Sequence, residues 1–157
     1  MRAPLALLAV AVALSGCADF TPLSALAGAD RRDRTVVVAH STGGGVFATA
    51  ADLGRIWQAG GTVIITGDCM SACTLALMDL VASSVCWTDD ATFLFHAAHI
   101  NGRLHPGQTE RNFTALPAGI RALLPPPASW RVDRWHAVGG GAAHDALGRG
   151  HCTEGTA

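Results

Sequence analysis

The 157-residue chain lacks a charge excess, an internal repeat and a long apolar run. Its formal net charge is −1 at pH 7 and only 15% of its residues are charged. Nucleic-acid binding wants a basic face, so that class is set aside. No internal repeat is visible, so stacked-repeat architectures are set aside too. The apolar run near the N-terminus is too short for an ordinary membrane span. What is present suits one compact domain: half of the residues are hydrophobic and the length is that of a single domain.

The first residues read as a processing signal. "MRAPLALLAVAVALSGC" carries one early positive charge, Arg2, then the short apolar run. It ends in Leu14-Ser15-Gly16-Cys17, which resembles the lipobox of bacterial lipoproteins. The resemblance implies cleavage after residue 16, acylation of Cys17 and a lipid-anchored tether over 17–34. Each acyl chain contributes roughly 0.8 kcal/mol per buried CH₂ to membrane binding. Ala18 stands where an aspartate would imply inner-membrane retention, so for a Gram-negative source the expected location is the periplasmic face of the outer membrane. The plainer alternative is a secretory signal with a chance cysteine.

Export implies an oxidising compartment, where cysteines pair. Beyond Cys17 there are Cys69, Cys73, Cys86 and Cys152, and four cysteines allow three pairings. Cys69 with Cys73 would brace the stretch around Ser71 and leave Cys86 with Cys152 to tie down the tail. Cys73 with Cys86 stays open as an alternative.

The folded part is expected over 35–124, an α/β domain with a small, mostly parallel sheet and crossover helices. "TVVVA" (35–39) and "TVIIT" (62–66) are β-branched runs suited to strands buried on both faces. "HSTGGG" (40–45) is a tight loop. "VFATAADLGRIWQ" (46–58) places Val46, Ala50, Leu53 and Trp57 at helical spacing, and "AGG" ends that helix. "SACTLALMDLVA" (71–82) reads as a buried helix, "VCW" and "TFLFH" as short strands. Strand, helix, strand, helix, strand implies parallel pairing through crossovers. One short helix is expected near 112–123. The Pro/Gly-rich segment 125–157 is expected to be weakly ordered, with "SWRVDRW" an edge strand or a lid.

In such a sheet the glycine loop, Ser71 and His96 all follow strands at one edge, where ligand crevices form. Ser71 at a helix start would present its hydroxyl beside backbone N–H groups that lack helical partners. His96 would take its proton. These residues resemble the Clp protease and crotonase-like superfamily, in particular exported Clp-like bacterial proteins. The likeness rests on "STGGG" (41–45), "CMSAC" (69–73) and "LFH" (94–96) and covers about residues 35–100. Ser71 follows Gly67 as the family's nucleophile follows a glycine, and His96 lies 25 residues beyond Ser71. The resemblance implies catalytic Ser71 and His96, an oxyanion hole from the amides of Gly44 and Ala72, and no cofactor. It departs at Thr42, where proline is usual, and at Ala72, where Clp peptidases commonly have methionine. The third triad position has no matching acid; Asp133 and Asp145 are the aspartates that follow the histidine.

Plainer readings stand beside these. Ser71 alone is a favoured N-cap residue. His96 alone is a hydrogen-bonded core or edge histidine, and His99 is its rival as base. Cys69, Cys73, His96 and His99 form a zinc-type ligand set, although export favours disulfides. The expectation is therefore an outer-membrane lipoprotein with a Clp-like serine hydrolase domain, a peptidase by resemblance. Its expected partners are the membrane, a peptide substrate and further copies of itself. The rival is a non-catalytic envelope scaffold on the same fold.

Overall fold

A computed structural model describes residues 29–32 and 35–152. The signal segment and Cys17 lie outside the described residues. Among those described, no helix is long and apolar enough to cross a membrane.

The chain is mixed α/β with a mostly parallel sheet. Its strands are β1 (Ala29–Arg32), β2 (Thr35–Ser41), β3 (Thr62–Met70), β4 (Val85–Trp87) and β5 (Thr92–Phe95). Two short strands follow, β6 (His99–Ile100) and β7 (Arg103–Leu104), then β8 (His136–Gly139). The helices are α1 (Val46–Gln58), α2 (Pro106–Ala115), α3 (Ala118–Ala122) and α4 (Gly140–Leu147). Six described strands make the main sheet in the order β1-β2-β3-β5-β8, with β4 also paired to β3. β2, β4 and β5 all run parallel to β3, while β1 and β8 are antiparallel additions at the two edges. The β6–β7 hairpin stands apart.

The β-branched runs explain the sheet's centre. Val63, Ile64 and Ile65 are consecutive and buried, as in a strand covered on both faces. β3 runs beyond the expected "TVIIT" to Met70. Its first half pairs Val63–Ile65 with Val85–Trp87 and its second half pairs Asp68–Met70 with Thr92–Leu94. Gly67 sits at the change of partner, where the β2–β3 register also shifts. A Cβ there would collide with the Ala39 carbonyl oxygen, so only glycine lets the two strands keep this spacing. Phe93, Trp87, Leu77, Val38 and Ile120 are among the fully buried side chains of the core.

Four local expectations need correction. First, α1 has the expected bounds, but its buried residues are Thr49, Asp52 and Leu53, whereas Ala50 and Trp57 are exposed. Asp52 is accommodated by pairing with Arg55 one turn on. Second, residues 71–82 do not form one α-helix. They form two 3-10 segments, Ser71–Leu77 and Asp79–Ser84, interrupted by extended Met78. Third, the helix expected near 112–123 is two helices, α2 and α3, separated by Leu116-Pro117, because the extended residue before a proline ends a helix. Fourth, segments expected to be loose are built into the sheet. Residues 29–32, read as tether, pair with β2. The segment from 125, read as weakly ordered, supplies β8, α4 and a disulfide.

Candidate functional site

Parallel register brings three strand ends together. Ser41 at the end of β2 pairs with Cys69, and Met70 at the end of β3 pairs with Leu94 of β5. The glycine loop, Ser71 and His96 leave these neighbouring strands at one edge of the sheet. They border a cavity of about 350 Å³ whose lining includes Gly44, Ser71, Ala72 and His96.

Ser71 takes φ 53°, a left-handed value unusual for a residue with a Cβ. Such a conformation costs on the order of 1–3 kcal/mol and needs support from its surroundings. Support comes from both sides. Cys69 and Cys73 form a disulfide that brackets Ser71. The Thr74 hydroxyl donates to the Ser71 carbonyl oxygen at 2.7 Å. The N-cap of the 3-10 segment is Met70 and no side-chain capping bond is made there, so Ser71 does not serve as the N-cap.

The Ser71 hydroxyl instead donates to His96 Nε2 at 2.8 Å. On the far side of the ring, Nδ1–H donates to the carbonyl oxygen of Val132 at 3.2 Å. That pairing fixes the tautomer in which Nε2 carries the lone pair and accepts the serine proton. Trp135 packs against the ring, with centroids 4.3 Å apart. Burial pushes the His96 pKa below its ordinary value. The bond to Val132 opposes this and the nearby charge of His99 adds to it.

No protein-family model, curated protein or solved structure matches the chain.

The glycine loop lies directly against the serine. A Cβ on Gly43 would collide with the Met70 carbonyl oxygen and would stand 2.8 Å from the Ser71 Cβ and 2.9 Å from the Ala72 nitrogen. Gly43 has φ 79° and Gly44 φ 149°, so the loop needs glycine for both conformation and space. Buried Ser41 shapes it by accepting a hydrogen bond from the Gly43 N–H at 3.2 Å. Gly44, like Ser71 and Ala72, lines the cavity, so the glycine loop and the segment after β3 both border it.

The other expected residues fall as follows. Cys86 and Cys152 form the second disulfide, so the first of the open pairings is the one present. The Cys69–Cys73 disulfide removes two thiolates from the Cys₂His₂ alternative. His99 lies on exposed β6, its ring 5.4 Å from that of His96, and Ser71 bonds to His96. Asp133 and Asp145 are exposed, and the group behind His96 is a peptide carbonyl. Sequence reasoning missed Val132 because a carbonyl is common to every residue type. The one usable signal was "SWRVDRW": Trp130 is buried in the cleft wall, and the following residues pass behind the histidine. The remaining cleft wall is largely apolar, with Leu75, Met78, Phe95, Phe113 and Leu116.

Proposed function

We propose that this chain is a serine hydrolase of the Clp/crotonase-like type, acting on acyl bonds of peptides with an apolar group beside the scissile carbonyl. The observation that carries the reading is the 2.8 Å bond from Ser71 to His96 at the mouth of a cleft. A scaffold without catalysis has no need of a strained serine aimed at an imidazole.

In this reaction Ser71 Oγ attacks the carbonyl carbon as its proton passes to His96 Nε2. The amides of Gly44 and Ala72 hold the oxygen that becomes negative. The C–N bond then breaks, the imidazolium returns the proton to the departing amine, and an ester to Ser71 remains. Water, deprotonated by the same imidazole, attacks that ester; the C–Oγ bond breaks, the imidazolium returns its proton to Ser71 Oγ, and the acid is released. The Val132 carbonyl keeps Nδ1–H in place throughout, the orienting part that a carboxylate plays in other triads. The apolar cleft wall would accept the neighbouring side chain.

The lipobox-like Leu14–Cys17 stretch supports an anchored protein, which in a Gram-negative source would sit at the periplasmic face of the outer membrane. The two disulfides fit an exported chain.

The test is turnover of p-nitrophenyl esters of increasing acyl length by the purified protein. Ser71→Ala should abolish the burst of nitrophenolate. His96→Ala should slow it by about 10²–10⁴-fold. Equal activity in wild type and Ser71→Ala would show that the serine is not the nucleophile. The second reading, a non-catalytic envelope scaffold, draws on the Phe47 side chain, 91% exposed at the cleft rim.

A further inference from the structure

A second cluster of chemistry-bearing side chains lies away from the cleft. Asp89, His144 and His151 each offer one ligand atom, and these atoms all lie within 4.8 Å of one another. None of the three lines the Ser71 cavity.

The frame around them is firmly fixed. Asp89 sits in the turn between β4 and β5. α4, which carries His144, starts against that turn: the Gly140 N–H donates to the Ala91 carbonyl oxygen at 2.7 Å, and a Cβ on Gly140 would collide with the Thr88 carbonyl oxygen. The Trp87 indole N–H donates to the Gly140 carbonyl oxygen at 3.1 Å. His151 is held by a bridge to Trp87, by the Trp87 N–H donating to the Gly150 carbonyl oxygen at 2.7 Å, and by the neighbouring Cys86–Cys152 disulfide.

His144 poses a proton-counting problem. Its side chain is only 3% exposed, between Trp87 and His151, whose rings stack on it at 5.0 and 3.6 Å. Both of its nitrogens face oxygen: Nδ1 the Arg149 carbonyl at 3.2 Å, Nε2 the Asp89 carboxylate at 3.5 Å. A neutral imidazole has one proton for these two oxygens. With the proton on Nδ1, well placed for Arg149, the Nε2 lone pair points at a carboxylate, and Nε2 has no hydrogen-bond partner. A cation between Nε2 and Asp89 removes the conflict. A second proton would do so as well, but it would not use His151.

We propose that Asp89, His144 and His151 bind a divalent first-row transition-metal ion, with Zn²⁺ the best match to two imidazoles and a carboxylate. His144 Nε2 is the buried anchor, oriented by the backbone carbonyl of Arg149 as metal-binding histidines are oriented from behind. Asp89 and His151 are exposed, so the His151 ring can turn out of its stack on His144 and close around the ion with Asp89, and water completes the shell. Bound there, the ion ties the segment after α4 to the β4–β5 turn.

The experiment is Zn²⁺ titration of the disulfide-intact protein by calorimetry, with Co²⁺ absorption as a report on coordination. Wild type should take up one ion per chain, raise its melting temperature with Zn²⁺ and show visible Co²⁺ bands. Asp89→Asn and His151→Ala change exposed residues, and circular dichroism checks that both remain folded. Each should weaken binding by at least about tenfold and lose the Co²⁺ bands. No uptake at about 0.1 mM Zn²⁺, or unchanged affinity in both variants, would overturn the proposal. Imidazole ¹⁵N spectra showing His144 doubly protonated, and unaltered by Zn²⁺, would overturn it in favour of the proton.

Discussion

His96 Nδ1 and the carbonyl oxygen of Val132 stand 3.2 Å apart, so in the proposed hydrolase a carbonyl stands where a serine triad has a carboxylate. A carbonyl orients the ring but brings no full negative charge to stabilise the imidazolium. The proposed catalytic pair is therefore a dyad backed by a dipole. Asp133→Asn, next to the bond but exposed, should change kcat/KM by no more than about threefold, against the roughly 10⁴-fold loss that follows neutralising an orienting aspartate. Steady-state kinetics of the single variant checks this.

The pH profile follows from the direction of the His96 shift. The base must be neutral, and burial holds its pKa below the ordinary 6.5. The acid limb of kcat/KM should therefore have its midpoint below 6.5, with a plateau through neutral pH. Removing the neighbouring charge with His99→Ala should move that limb upward. By linkage, the same depressed pKa contributes stability above the unfolded value of 6.5, and that contribution is lost as pH falls through the folded pKa. A kcat/KM midpoint at or above 6.5 in wild type would contradict this reading.

The two disulfides should separate stability from activity. Cys69–Cys73 closes a short loop and Cys86–Cys152 spans 66 residues. Loop-closure entropy assigns about 2 kcal/mol to the first and about 4 kcal/mol to the second. Cys86→Ser with Cys152→Ser should thus lower the denaturation midpoint more. Cys69→Ser with Cys73→Ser should cost more activity at equal fraction folded, because that bridge brackets the strained Ser71. Chemical denaturation alongside ester turnover measures both.

Gly67 offers a test of how the strands position the site. Gly67→Ala forces a Cβ into the Ala39 carbonyl and should destabilise the protein by about 1–3 kcal/mol, the usual cost of overpacking. Gly54 has open space where its Cβ would be. Gly54→Ala, in the middle of α1, should stabilise by a few tenths to about 1 kcal/mol. Thermal melts of the two variants should shift in opposite directions.

Much of this was legible because it rests on residue type. The β-branched runs announce both strands, but only β3 is buried on both faces; β2 alternates, with Val36, Val38 and Ser41 buried and Ala39 exposed. The three glycines announce a loop that approaches another backbone. The positions of Ser71 and His96 after the neighbouring parallel strands β3 and β5 bring them to one edge. What was not legible rests on backbone or on partners distant in sequence. The Val132 carbonyl has no signature. β8 contributes one buried side chain, Val138, and holds its place by pairing with β5. Asp52 is a charged residue of α1 that is nevertheless buried, paired with Arg55 one turn on. The Asp89–His144–His151 cluster draws on two segments more than fifty residues apart, joined only when α4 folds onto the β4–β5 turn.

The most direct test of the hydrolase account is treatment of the folded, disulfide-intact protein with a fluorophosphonate probe, followed by mass mapping of the adduct. The account predicts one adduct, on Ser71, absent in Ser71→Ala and strongly slowed in His96→Ala. A folded wild type that stays unlabelled, or labelling that persists in Ser71→Ala, would contradict it.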